Sequence, residues 1–320
     1  MTVFGFEDVR AACAEVAAIA TQVSIDTAQL ERFAAEIANT QVPDPVWDGA
    51  VHFTGAESEN TLFVFALDAI NFGSGWFPVL RKPEGRSGYY TVAMALTEHA
   101  RQATHWNAAA LSQMDATQCA VIFGQQENEA VTELMEHFAT ALRQLGSWIT
   151  NNFSGDPRNV LLEADHQAHR LVPMVQEMPY FFDVAIYDYR PVPLLKRAQI
   201  LCADLSLALG GSPLGQFRDL DRLTLFADNL VPHVLRMEGV LVYDQSLLGR
   251  INAEQLLESG SPEEVEIRAV AVHAVELLSQ HLGKLGRPKT PARLDHLLWH
   301  AGQSPSIKRE PRHRCRCIWY

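Results

Sequence analysis

The chain is short of basic side chains. Its 320 residues hold 26 lysines and arginines against 38 aspartates and glutamates, for a formal net charge of −12. A protein that grips a nucleic-acid backbone draws much of its affinity from clustered cations. The global field here opposes a polyanion, so no duplex binding is expected, although a local cation pair can still hold one phosphate. Long apolar runs are missing too. The longest, Thr61 to Phe72, is interrupted by Asp68 and falls short of the roughly 20 residues that a membrane span needs. Met1 to Arg10 carries Glu7 and Asp8 and lacks the basic-then-apolar pattern of a secretory signal. Cysteine is sparse and odd in number (Cys13, Cys119, Cys202, Cys315, Cys317), which implies no disulfide framework. No membrane partner is expected, and the cytoplasm is the expected location.

Several signatures are absent as well. There is no G-x-S-x-G, no Walker loop and no G-x-G-x-x-G, which removes the common hydrolase and dinucleotide readings. His166 with His169, His296 with His300, and His313 with Cys315 and Cys317 are close in sequence. None carries a paired C-x-x-C or an H-E-x-x-H with its internal Glu. No metal and no cofactor is expected. No period of 20 to 50 residues repeats, so a solenoid is excluded.

What is present reads as mainly helix with a small β component. The first 40 residues suit helices, with Leu30, Phe33, Ala34 and Ile37 at helical spacing, ended by Pro43 and Pro45. From Trp47 to Tyr90, aromatics and glycines alternate densely, as in a platform of short elements and turns. Glu127 to Gly146 predicts an amphipathic helix with Gly146 at its C′ position. Asn151 to Pro157 reads as a loop and marks the expected boundary between lobes 1–150 and 151–320 of one compact unit. Pro193 to Leu209 predicts a helix with proline in its first turn. It is apolar on two sides, so Lys196 is expected to face a cleft rather than bulk water. Further helices are predicted over Glu263–Leu282 and Thr290–His300, and the tail from Lys308 turns β-like.

Three segments carry candidate chemistry. Ala66 to Phe72 sets Asp68 and Asn71 three residues apart in apolar surroundings. A carboxylate there is costly unless paired, so it either caps backbone or reads donors on a bound base. Tyr187-Asp188-Tyr189-Arg190-Pro191-Val192-Pro193 is either a stiff turn or a helix N-terminus where Arg190 and Lys196 meet a phosphate. Leu225 to His233 inserts Asp228 between apolar stretches. There it is either a helix cap or a carboxylate that stabilises a developing cation. His233 is a pocket residue or a satisfied core histidine.

These segments together resemble the queuosine salvage protein family. The resemblance is carried in order by Ala66-Leu67-Asp68-Ala69-Ile70-Asn71-Phe72 with Trp76-Phe77, and Tyr189-Arg190-Pro191-Val192-Pro193 with Lys196-Arg197. It continues through Leu223 to Asp228, Val231-Pro232, Gly239-Val240-Leu241, Glu266-Ile267-Arg268-Ala269, and Leu294-Asp295 to Leu297-Leu298-Trp299. It runs from about Trp47 to the C-terminus. The chain departs from it at Asn229-Leu230, where some members have Tyr-Arg, and at Cys315 and Cys317, where threonine is expected.

The resemblance implies a helical fold like that of the helix-hairpin-helix DNA glycosylases, with an active site in a cleft between two lobes. It also implies hydrolysis of queuosine 5′-monophosphate, or of queuosine itself, to free queuine. Asp228 would be the catalytic carboxylate and Lys196 an active-site partner. His52, Phe53, Asp68, Asn71, Trp76, Tyr187, Arg190, Asn229 and His233 would contact the substrate. The competing readings are a nucleic-acid base-excision glycosylase, which the acidic balance disfavours, and a non-catalytic binder of modified nucleosides.

Overall fold

A computed structural model describes residues 2–41 and 44–320; Pro43, expected as a helix breaker, lies outside them. The chain runs α1 (Phe6–Ile19), β1 (Val23–Ile25), α2 (Thr27–Ile37), α3 (Glu57–Ala69), α4 (Gly88–Gln102), α5 (Ala108–Leu111), α6 (Ala116–Ile122), α7 (Thr132–Asn152), α8 (Pro157–Ala164) and α9 (Ala168–Val175). The second half follows as β2 (Val184–Tyr187), β3 (Arg190–Pro193), α10 (Lys196–Ala208), α11 (Val231–Met237), β4 (Leu241–Tyr243), α12 (Gln245–Asn252), β5 (Leu256–Leu257), α13 (Pro262–Lys284), α14 (Pro291–Ala301), α15 (Pro305–Arg309) and β6 (Arg314–Cys315). The fold is mainly helical with small sheets. β1 pairs with β4 and β2 with β3, both antiparallel, while β5 and β6 pair in parallel. Among the described residues no helix is long and apolar enough to cross a membrane.

Two helices form the core. α13 starts at the Ser261 cap, whose side chain accepts from the Glu264 N–H, with Pro262 at its first position. Its residues from Glu264 to Val272 are all buried, and α1, α2, α11, α14 and β1 pack around it. α3 is buried without interruption from Asn60 to Ala69 and packs on α7, α8 and α10. A helix covered on every side has no polar face. Its sequence therefore shows no 3.6-residue period, and the expected platform of short elements is instead one 13-residue helix followed by turns.

Two other expectations are corrected. The helix predicted from Pro193 begins at Lys196. Residues Val184 to Pro193 instead form a hairpin, with Tyr187 paired to Arg190 and with Asp188 and Tyr189 both at positive φ. That two-residue connection has the handedness that matches strand twist. Gly146 does not end a helix, because α7 continues to Asn152. A Cβ on Gly146 would lie 2.3 Å from the Ser112 nitrogen and 2.4 Å from the Ala108 oxygen. The glycine therefore lets α5 lie directly on α7.

This contact reverses the usual sign of a helical Gly-to-Ala change. Propensity alone predicts a gain of about 1 kcal/mol. Overpacking against the α5 backbone should instead lower stability by about 1–3 kcal/mol. Gly146→Ala is expected to melt several degrees below the parent in a thermal denaturation scan, and an unchanged or raised melting point would refute the close packing.

Candidate functional site

A cavity of about 770 Å³ opens beside α10, within the usual range for small-molecule sites. It draws on both halves of the chain. Val51, His52, Phe77 and Tyr89 come from the first half, and Phe226 and Trp299 from the second. The helix period explains one wall: Lys196, Ile200, Asp204 and Leu207 all line the cavity, spaced to share one face of α10.

Lys196 is buried, and its Nζ donates to the Asn71 carbonyl at 3.1 Å. Burial pushes its pKa down, while the charges of Asp228 and Asp68 pull it back up. Its neighbour Arg197 turns the other way. The guanidinium donates to the Asp68 and Ala69 carbonyls at 3.3 and 2.5 Å and lies over the Phe72 and Phe181 rings. That side chain ties the start of α10 to the end of α3.

Asp228 lies at the cavity wall just before α11. Its Oδ1 accepts from the Leu230 and Val231 N–H groups at 2.7 and 3.0 Å. Its Oδ2 makes no hydrogen bond to a described residue. The cap expectation is met only in part: Oδ1 holds the first N–H groups of α11, but the N-cap position itself is Leu230. Asp295 faces the same space, and its Oδ1 accepts from the Phe226 N–H at 3.2 Å. Burial, followed by the charge of Asp228, pushes the Asp295 pKa well up. Burial, followed by the charge of Asp68, does the same for Asp204.

Asp68 does not line the cavity. It sits fully buried behind the wall, with Oδ1 accepting from Asn71 Nδ2 at 3.2 Å and Oδ2 without a partner. Burial raises its pKa to about 7, opposed by the Asn71 hydrogen bond and by Lys196 and Arg197. His52 lines the cavity and stacks on Trp47 with ring centroids 4.2 Å apart. Its Nε2 is 3.0 Å from the Tyr89 hydroxyl. Burial lowers its pKa to about 4, so the ring is neutral at pH 7. Asn229 also lines the cavity, and its amide donates to the His313 carbonyl at 3.3 Å.

The structure thus brings His52, Asn71, Lys196, Asp228 and Asn229 to one cavity. Six expected contacts do not line it: Asp68 lies behind the wall, and five others lie elsewhere. Arg190 stands at the hairpin turn, 65% exposed, paired with Glu15 at 2.9 Å. The helix N-terminus expected there is a strand end. The true start of α10 is occupied by protein, because the Lys196 N–H donates to Asp183 Oδ2 at 3.1 Å. Tyr187 gives its hydroxyl to Glu266 at 2.7 Å. Phe53 packs on Phe63, and buried Trp76 donates to Glu133 at 3.2 Å. His233 is a core histidine, with Nε2 3.0 Å from the Ile307 carbonyl and Nδ1 3.1 Å from Arg236. Sequence reasoning did not single out Asp204, Asp295, Tyr320 or Arg312. For Asp204 a signal was available, since it lies eight residues beyond Lys196 on the same helical face.

Arg312 lines the cavity and makes no hydrogen bond or ion pair to a described residue. Burial lowers its pKa, and the charge of Asp228 acts against that shift. Lys308 stands at the same rim. Among the described residues no group of three or more His, Cys, Asp or Glu side chains could hold a metal ion.

A family model described as queuosine salvage protein matches residues 51–320. A protein of Sphaerobacter thermophilus named queuosine 5′-phosphate N-glycosylase/hydrolase is 34% identical over 306 residues, covering 94% of each chain. Proteins of the same name from Mus musculus and Dictyostelium discoideum are 28% identical over 83% of each chain and 36% identical over 56% of each chain.

The buried carboxyl of Asp68 sets a pH test. Its folded pKa of about 7 lies above the usual value of 3.8, so the native state binds the extra proton. Its contribution to stability is therefore present below pH 4 and lost as pH rises through 7. Asp68→Asn removes that loss. Urea denaturation should show the variant gaining on the parent between pH 5 and pH 8, and a gap independent of pH would contradict this environment.

Proposed function

The chain belongs to the queuosine salvage protein family, and from that membership and the cavity we propose that it hydrolyses the N-glycosidic bond of queuosine 5′-monophosphate, releasing queuine and ribose 5-phosphate. The observation that carries the reading is Asp228, with one carboxylate oxygen left unbonded at the wall of a largely apolar cavity that also holds Lys196.

Cleavage of a ribosyl C–N bond passes through an oxocarbenium-like state, in which positive charge develops on the sugar. A fixed anion beside that carbon favours this state over the neutral ground state, which is the condition for catalysis. The neighbouring carboxyls leave that role to Asp228: burial drives Asp295, Asp204 and Asp68 toward their neutral forms. The negative charge facing the sugar is then Asp228's, and the same group can orient the attacking water. A 7-deazaguanine lacks the N7 that an ordinary purine can have protonated, so its departure needs help elsewhere. Lys196, with its pKa lowered by burial, is a competent proton donor at this wall. In this reading Lys196 acts at the reacting centre.

The 5′-phosphate then needs another cation. Arg312 and Lys308 replace Arg190 in that role, because they line the cavity and Arg190 does not. A guanidinium matches two phosphate oxygens at once. The cavity is read as the cleft between two lobes of a fold like the helix-hairpin-helix glycosylases. Five buried free thiols suit a reducing cytoplasm.

Incubation with queuosine 5′-monophosphate, followed by chromatography, should yield free base, whereas guanosine 5′-monophosphate should stay intact. Absence of base from the first substrate refutes the activity. Asp228→Asn retains an oxygen to cap Leu230 and Val231 and so should stay folded, while turnover falls by roughly 10²–10³-fold or more. Full turnover in that variant would remove Asp228 from the chemistry.

Arg312→Ala should raise KM for the monophosphate at least tenfold and leave cleavage of the unphosphorylated nucleoside unchanged. Arg190→Ala should alter neither. Equal losses on both substrates in Arg312→Ala would refute the phosphate role.

A further inference from the structure

Lys196 and Asp228 are far apart in sequence, and neither is bonded to the other. Their relative placement depends on what holds the two backbones. Lys196 follows Leu195, which adopts a left-handed conformation at φ 53° and ψ 33°. A non-glycine residue there is strained and must be held by its surroundings. The holder is Asp183. Its main-chain carbonyl accepts from the Leu194 and Leu195 N–H groups at 2.9 and 3.2 Å. Its Oδ2 accepts from the Lys196 N–H at 3.1 Å.

Asp183 is in turn gripped by Arg268 of α13. Nη1 donates to Oδ1 at 3.0 Å and Nη2 to Oδ2 at 2.7 Å. The third donor of the same planar group, Nε, reaches the Ala227 carbonyl at 3.0 Å, one residue before Asp228. Both Arg268 and Asp183 are almost fully buried. One rigid guanidinium therefore joins the peptide that launches Lys196 to the peptide that presents Asp228.

We infer that Arg268, acting through Asp183, is a positioning residue that sets the separation of Lys196 and Asp228 for bond cleavage. The inference rests on the activity proposed above. A lysine cannot replace it, because a single ammonium has no planar fork to hold a carboxylate in two places while also reaching Ala227.

The test separates positioning from plain destabilisation. Parent protein must first release base from queuosine 5′-monophosphate; if it does not, the activity itself fails and the positioning question is moot. With an active parent, Arg268→Lys should lower kcat about 100-fold, the scale expected for a misplacement of about 1 Å. KM should change less than threefold, since Arg268 does not line the cavity. Leu278→Ala is the control: it opens a hole in the same helix, well along from Arg268, and should lower the melting temperature while keeping kcat per folded molecule. Asp183→Asn, which is isosteric and keeps one acceptor oxygen, should reproduce the kcat-specific loss and carries the test if Arg268→Lys does not accumulate folded. A kcat per folded molecule equal to that of the parent in either variant overturns the inference. So does a loss matched by Leu278→Ala at the same melting temperature.

Discussion

The buried ion pair between Arg268 and Asp183 is the contact on which the rest of the molecule is organised. Two charges removed from water are expensive, and a pair of this kind adds little net stability over apolar residues of the same shape. Breaking it from one side costs about 3–5 kcal/mol. Its worth lies in what it joins. Glu264 lies 3.5 Å from the same guanidinium, and the Tyr320 ring lies 4.8 Å from its central carbon. The Tyr320 carbonyl in turn accepts from the Gly73 N–H at 3.0 Å. The β2–β3 hairpin, the segment before α11, the central helix α13 and the tail thus meet at one point, and an apolar substitute would have no directional bonds with which to register them.

A second constraint follows from the burial of the ionisable groups around the cavity. The chain is strongly acidic overall, yet around the site burial works against negative charge. Burial pushes Asp68, Asp204 and Asp295 all toward neutrality, Asp68 to about 7. Two cations, Lys196 and Arg312, are destabilised by the same burial and steadied by Asp228. The outcome is a site with few net charges, set against a largely apolar wall where each acts more strongly than in bulk water. The global charge of −12 does not describe the interior.

The sequence was most legible where a helix has one wet face. α14 matches its predicted span to one residue at each end, whereas α7 is the right helix displaced by five residues at its start and six at its end. α13, predicted over Glu263–Leu282, spans Pro262–Lys284 although it has almost no polar face over its first turns. α3 was not legible, because burial on all sides erased its periodicity. The stretch before α10 misled because prolines suit both a helix start and an edge strand, and only the pairing of Tyr187 with Arg190 distinguishes them. Among candidate site residues, Asp68, Asn71, Lys196 and Asp228 stood out as charged or amide groups set in apolar sequence. Arg312 did not, since it sits in a basic tail whose fold back onto the cavity rests on long-range contacts that no local pattern encodes. Phe53, Trp76 and His233 serve packing and core hydrogen bonding instead, against Phe63, Glu133, and Ile307 with Arg236.

α10 contributes a cation and an acid to the same wall through Lys196 and Asp204, eight residues and therefore about 12 Å of helix rise apart. The helix behaves as a ruler whose two marks are fixed by backbone geometry rather than by side-chain choice. A single inserted or deleted residue between the marks would swing one of them by about 100° around the axis, off the face that Lys196 and Asp204 share. Side chains along this stretch can change one at a time, but its length cannot. Differences in chain length among related proteins should therefore gather in the loops and leave this interval untouched.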